Sequence, residues 1–349
     1  MLSLDFLAGF TIFLLALIMV VSMVPGLLAG LQSSGIDYDA VAYRTGVILV
    51  EDPGWPVNPL PWELYGDAQK YEIERMGLAV SKDTPNILLS TKVEKFFNKT
   101  FFDQDDYHNK VIFGDYPYSY NISLSSGNDL RQVGDPLPPG YGYIRRVVKI
   151  KEPSVAVINQ IFKSQYTIPD PSDSKWNSTA RNFTVRLDFS HLLDPTVSPA
   201  YRIDPRIEPV NVTITDFGAY LNNTYYDSAT LKNVTFWKRD TTKPGADPAP
   251  IPFPYGTVDS DLYTLNVNGT QALHSLKPEV SVNSSISLVL KPSATSLLPL
   301  DQNSILDIRF NFEDDPPHTN ITGIHHYDYN MTNVTCTDLK TGVLEVAIW

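Results

Sequence analysis

Two hydrophobic patterns divide the chain. From Phe6 to Leu31 there are 26 consecutive residues without a charge, broken only by Pro25. About 20 apolar residues in a helix cross a bilayer core, and backbone in lipid has to bond internally, so this run is expected to form a long helix able to span a membrane. From about Pro117 the pattern changes to period two. Tyr118, Tyr120, Ile122 and Leu124 alternate with polar residues, as do Phe183, Val185, Leu187 and Phe189. The same alternation recurs at Val210, Val212 and Ile214, at Val234 and Phe236, and at Tyr263, Leu265 and Val267. It returns at Ile286, Leu288 and Leu290, at Leu306, Ile308, Phe310 and Phe312, and at Leu344, Val346 and Ile348. Half-buried strands separated by turn residues predict an antiparallel sandwich with one face inward and one wet.

Between the two patterns the reading is helical and then irregular. Ile36, Ala40, Tyr43, Val47 and Val50 recur at helical spacing, and Glu51-Asp52-Pro53-Gly54 is a stop signal. A helix continuous to that point covers about 50 residues, roughly 75 Å at 1.5 Å per residue, and a break at Gly35 is the equal alternative. Pro25 is expected to kink it. Trp55 to Trp62 is a Pro-rich connection, Thr91-x-x-Glu94 predicts a capping box opening a short helix with Val93, Phe96 and Phe97 on its apolar side, and a second short helix is expected over Asp106–Ile112. The predicted class is α+β: a hydrophobic N-terminal helix over 1–52, a connecting region over 53–116, and a β-sandwich over 117–349. The Pro-rich stretch Pro244–Gly256 marks an expected boundary near 240–256.

Charge and composition narrow the function. A net charge of −12 lacks the basic face that nucleic acid requires. Cys336 is the one cysteine, so no intrachain disulfide forms, and a small buried hydrophobe is its expected role. Asn-x-Ser/Thr occurs twelve times among 21 Asn: at Asn98, Asn121, Asn177, Asn182, Asn211, Asn222, Asn233, Asn268, Asn283, Asn320, Asn330 and Asn333. Chance gives about three, so covalent N-linked glycans are expected. Asn121, Asn182 and Asn211 lie out of phase with inward residues, which predicts side chains facing solvent. Glycans belong outside the cell. The residues beyond the apolar run are therefore expected to be extracellular or on the cell surface, with the N-terminus facing inward. No Lys or Arg precedes Arg44, so the run lacks the basic start of a cleaved secretory signal.

Catalytic signatures are missing: the chain has no HExxH, GxSxG, P-loop or dinucleotide-type glycine turn, and no enzymatic activity or cofactor is expected. Two polar clusters carry alternative readings. His325-His326 with Asp314-Asp315 and Asp328 reads as a metal set or as solvated loop residues. Asp103, Asp105 and Asp106 read as calcium ligands or as surface acids without EF-hand spacing. The bland reading is favoured for both.

The opening LDFLAGFTIFLLALIMVVSMVPG, followed by IDYDAVAYRTGVILVEDPGWP, resembles the N-terminal region of archaeal type IV pilin-like envelope proteins of methanogens and their relatives. That resemblance covers roughly the first 55 residues. It implies a filament subunit whose helix leaves the membrane to pack in a core of identical helices, with a glycosylated β domain outside. Asp5 would neutralise a neighbouring subunit's amino terminus. Gly9, with the small residues Ala8, Ala16, Ser22 and Gly26, would allow helices to approach closely, and Pro25 would kink the rod. The alternatives are a singly anchored surface or adhesion protein that does not polymerise, and an ectoenzyme such as a glycosidase.

Overall fold

The computed structural model describes residues 4–32, 37–57, 60–114, 116–162, 167–168, 181–221, 227–242, 248–251, 262–272, 280–296, 298, 300–312, 321, 324–330, 333–334 and 339–349. Its α-helices are α1 (Leu4–Gln32), α2 (Tyr38–Glu51), α3 (Ser90–Phe96), α4 (Gln104–Tyr107), α5 (Phe189–Leu192) and α6 (Pro292–Ser296). The strands form three sheets. The first runs β1 (Ile87–Leu89), β4 (Gly142–Lys151), β17 (Lys340–Ile348), β2 (Tyr120–Ser126) and β3 (Asp129–Gly134). The second runs β10 (Ala249–Ile251), β9 (Ala229–Asp240), β15 (Ser304–Phe312), β7 (Asn182–Asp188), β16 (Ile324–Tyr329) and β6 (Thr167–Ile168), with β13 (Val280–Val282) also on β9. The third runs β12 (Thr270–Gln271), β11 (Tyr263–Val267), β14 (Ile286–Leu290), β8 (Val210–Ile214) and β5 (Val155–Ile158).

The alternating runs of the sequence become strands, but they do not assemble into one antiparallel sandwich. The sheets are mixed: β1 pairs β4, β5 pairs β8 and β7 pairs β16 in parallel. The expectation of a single large antiparallel β-sandwich is corrected on that ground. Period-two alternation reports which face of a strand is buried; it carries no information about the direction of the neighbour.

The N-terminal expectation is corrected as well. The rod is two helices. α1 ends at Gln32, and α2 starts afresh on its own N-cap, Asp37, whose side chain accepts the Ala40 N–H at 3.0 Å. Among the described residues no helix is long and apolar enough to cross a membrane, so the transmembrane anchor does not stand. α2 is no stalk: Ala42, Thr45, Gly46, Leu49 and Val50 are buried against the first sheet.

The short-helix expectations are met in part. α3 starts one residue earlier than its expected capping box and has no side-chain cap. The capping box forms instead at α4, where Asp103 Oδ1 accepts the Asp106 N–H and Asp106 Oδ2 accepts the Asp103 N–H, both at 3.0 Å. A π-turn over His108–Ile112 follows directly.

Two hydrophobic cores result. One gathers α2, α3, the residues around Trp62 and the first sheet. The other gathers the inward residues of the second and third sheets. β17, at the end of the chain, returns to the centre of the first sheet between β4 and β2. Neither core includes a described residue of α1.

Candidate functional site

The feature that the fold leaves without a structural role is α1. Twelve large apolar residues between Phe6 and Val21 are exposed, from Leu14 at 36% to Ile12 at 69%. The stretch is apolar on every side. Its two hydroxyl residues turn inward on the helix itself: Thr11 Oγ1 donates to Leu7 O at 2.5 Å and Ser22 Oγ to Met19 O at 2.8 Å. Such back-bonding leaves no polar group pointing outward. Phe6 and Phe10 stack with ring centroids 6.3 Å apart, and a Cβ built on Gly9 would meet nothing within 4 Å. Asp5 and Pro25 belong to α1, and their side chains lie outside the described residues.

α2, the next helix in the chain, is fixed to the body. Its N-terminal backbone rests on the start of β4, and the contact is close enough to require glycine: a Cβ on Gly142 would sit 2.2 Å from Tyr38 C and 2.6 Å from Asp39 N. Asp39 Oδ1 accepts the Tyr143 N–H at 3.1 Å. Arg44 donates to Ile112 O at 2.7 Å and Phe113 O at 2.5 Å, tying the same helix to the π-turn. Around this contact stand the exposed rings of Tyr43, Tyr116, Tyr141 and Tyr143. Tyr143 Oη donates to Glu345 Oε1 at 2.7 Å, and its phenol is pushed up to about 12 by desolvation first and by that carboxylate second.

The sequon asparagines fall into different environments. Asn98, Asn268 and Asn283 are exposed, whereas Asn182, Asn211, Asn233, Asn330 and Asn333 are half-buried. Asn121 is buried at 4%, against the expectation that it faces solvent. The reason is local: Gly134 (φ +96°) turns the chain back over β2, so that Asn121 Nδ2 donates to Asp135 O at 2.6 Å. Asn177, Asn222 and Asn320 lie outside the described residues, as does Cys336.

The polar clusters resolve into structural roles. His325 and His326, as neighbours on β16, face opposite sides. His325 is buried and stacks on Phe183 at 5.4 Å, while His326 Nε2 lies 3.0 Å from Asp328 Oδ1. Asp314, Asp315 and His318 lie outside the described residues, among which no group of three metal-ligating side chains occurs. The acids at 103–106 are held by lysines: Lys70 Nζ is 3.1 Å from Asp103 and 2.5 Å from Asp106, and Lys110 Nζ is 3.0 Å from Asp106. The backbone N–H of Asp106, with the Lys70 ammonium, holds Asp103 below the usual carboxylate range. A small cleft of about 120 Å³ opens beside α3 between Glu94, Asp129, Arg131, Glu152 and Lys340. Two of these carboxylates are committed to ion pairs, Glu152 with Lys340 at 2.9 Å and Asp129 with Arg131 at 3.0 Å.

Buried charge is what the sequence reading missed. Lys151 Nζ pairs with Glu208 Oε1 at 2.8 Å with both side chains almost wholly covered, and burial pushes the Glu208 carboxyl up. Glu63 is buried with neither carboxylate oxygen hydrogen-bonded among the described residues. Burial raises its acid, while burial lowers the neighbouring Lys92 ammonium, which donates to Pro53 O and Ala79 O. On the second sheet Arg186 grips Asp307 through two bonds, at 2.8 and 3.0 Å, and Arg309 lies over the Trp237 ring at 4.5 Å. These residues sit in ordinary alternating or loop sequence, and no spacing rule separates them from surface charges.

No protein-family model matches the chain, and neither does any curated protein or solved structure.

Proposed function

We propose that this protein is a structural subunit of an extracellular filament, in which α1 packs against copies of itself and the β-rich body faces outward. The observation that carries the reading is the uncovered, all-round apolar surface of residues 6–22. A helix apolar on every side belongs inside an assembly, because one groove covers only one side of it. Magnitudes favour many neighbours over one. Covering a half-exposed large side chain contributes ~1 kcal/mol, so the twelve together offer on the order of 10–20 kcal/mol. A single partner covering half of that barely offsets an association cost of about 4–15 kcal/mol, whereas a bundle recovers all of it. Ala8, Gly9 and Ala16 permit helices to approach closely. The pilin-like resemblance of the first 55 residues and the excess of sequons point the same way.

Sedimentation velocity and electron microscopy of the full chain test the proposal, with Phe10→Asp/Phe13→Asp as the comparison. The unsubstituted chain is expected to form large assemblies, and the double variant to remain monomeric with an unchanged near-UV circular dichroism spectrum. A variant that assembles as well as the parent sinks the proposal.

A further inference from the structure

Nine of the twelve sequon asparagines are described, and their amides are in unlike states. Two are locked into the fold. Asn121 is buried, with Nδ2 donating to Asp135 O at 2.6 Å. Asn268 occupies the left-handed region (φ +50°) in the two-residue Asn268-Gly269 turn joining β11 to β12. That turn type favours an Asn-Gly pair. The Asn268 side chain then bridges to the neighbouring turn: Nδ2 donates to Ser281 O at 2.8 Å, and Oδ1 accepts the N–H groups of Asn283 and Ser284, each at 3.1 Å. The sequon there is a by-product of turn chemistry.

Asn98 and Asn283 differ. Both are exposed, and neither amide nitrogen has a partner among the described residues. Asn98 follows α3, and its Oδ1 accepts both the N–H of Thr100 at 3.0 Å and the Thr100 hydroxyl at 2.7 Å. This is an Asx-turn closed by the sequon's own hydroxyl residue. It matters chemically because an amide nitrogen is a weak nucleophile, its lone pair being delocalised onto the carbonyl. Two donors at Oδ1 stabilise negative charge on that oxygen, which favours loss of a proton from Nδ2 and frees the lone pair.

We infer that Asn98 and Asn283 carry N-linked oligosaccharide, and that Asn121 and Asn268 are structural amides that carry none. The co-reactant is a phosphate-activated oligosaccharide presented by its transferase. Nδ2 attacks the anomeric carbon, a C–N bond forms as the C–O bond to phosphate breaks, the phosphate leaves with that electron pair, and the Nδ2 proton passes to a base of the transferase. The inference rests on the proposed outward-facing body.

Glycopeptide mass spectrometry of the full chain, isolated from cells that produce it, tests the assignment. Substituting the hydroxyl residue removes each sequon without touching its asparagine. Thr100→Ala and Ser285→Ala are each expected to remove one glycan mass, while Ser123→Ala and Thr270→Ala leave the glycan mass unchanged. Glycan on Asn121 or Asn268, or a bare Asn98 or Asn283, overturns the assignment. A chain free of glycan at every site also overturns it, and leaves the self-association of α1, read by sedimentation, where it stands.

Discussion

The buried pair Lys151–Glu208 is the most exacting test of how the two halves of the body are joined. Lys151 ends β4 in the first core, and Glu208 precedes β8 in the second. Their side chains are 5% and 0% exposed and meet at 2.8 Å. Lys151 Nζ also donates to Arg202 O, and Glu208 Oε1 accepts the Asp204 N–H at 2.7 Å. At an effective dielectric constant near 20 the attraction at 2.8 Å is about 6 kcal/mol, against a desolvation cost of several kcal/mol for each ion. The pair is therefore close to neutral as a whole, yet costly to break from one side. Glu208→Ala leaves the Lys151 ammonium buried with one carbonyl partner, and is expected to cost about 3–5 kcal/mol. Lys151→Met combined with Glu208→Leu removes both charges and is expected to restore most of that loss.

Urea denaturation followed by tryptophan fluorescence measures all four corners of this double-mutant cycle. Because the pair joins the two cores, Glu208→Ala is also expected to split one unfolding transition into two. A loss below ~1 kcal/mol, the range of exposed pairs, or additive single effects, would refute the reasoning. The pH dependence gives a second check. Burial raises the Glu208 acid above 4.5 in the folded state, so the folded chain binds more protons than the unfolded one between 4.5 and that raised value. Stability from this group therefore falls as pH rises through the window, and Glu208→Gln is expected to flatten that slope.

Four further outcomes are expected. Gly142→Ala drives a Cβ into the backbone of Tyr38 and Asp39, and differential scanning calorimetry is expected to register a loss of at least ~1–3 kcal/mol. Arg186→Ala leaves the 3%-exposed Asp307 carboxylate to Arg309 at 3.8 Å and is expected to cost about 3 kcal/mol in chemical denaturation, with Arg186→Lys only partly rescuing because an ammonium cannot form two parallel bonds. Asn268→Ala removes the bridge between two turns and the residue suited to its left-handed backbone, and is expected to lower stability by roughly 1–3 kcal/mol without changing the glycan mass. Removing residues 1–32 is expected to leave the melting temperature of the body unchanged within error while abolishing assembly, as calorimetry and sedimentation would report.

The strands were legible because burial on one face writes itself as alternation: Val210, Val212 and Ile214 are all fully buried, as are Ile286 and Leu288. Partner direction and sheet membership were not. Nothing in Leu344, Val346 and Ile348 says that this last strand lies between β4 and β2, some 200 residues earlier in the chain. The helical spacing from Ile36 to Val50 reads as a helix, but whether it continues α1 or stands apart from it stays open in the sequence, because the apolar stripe of a core helix and that of a stalk look alike. Strand phase set Asn182 and Asn211 opposite the inward residues of their strands, where both are half-buried, and it failed at Asn121, where a later turn covers the face. Phase says which way a side chain points and leaves open what lies on top of it.

The body and the rod obey different rules, and this separation supports the assembly reading. In the body several covered charges have partners: Lys151 has its glutamate, Asp307 its arginine, and Asp103 and Asp106 their lysines, with Glu63 the exception. In α1 nothing is answered, since no charge or free hydroxyl occurs over residues 6–22 and no part of either core leans on it. A segment that contributes nothing to its own fold, while exposing twelve large apolar side chains, gains stability only from contacts outside the monomer. The close approach of Tyr38 and Asp39 to Gly142 fixes α2 to the body. Identical apolar helices carried by identical bodies can pack on one another in equivalent surroundings, and that equivalence is what a regular filament requires.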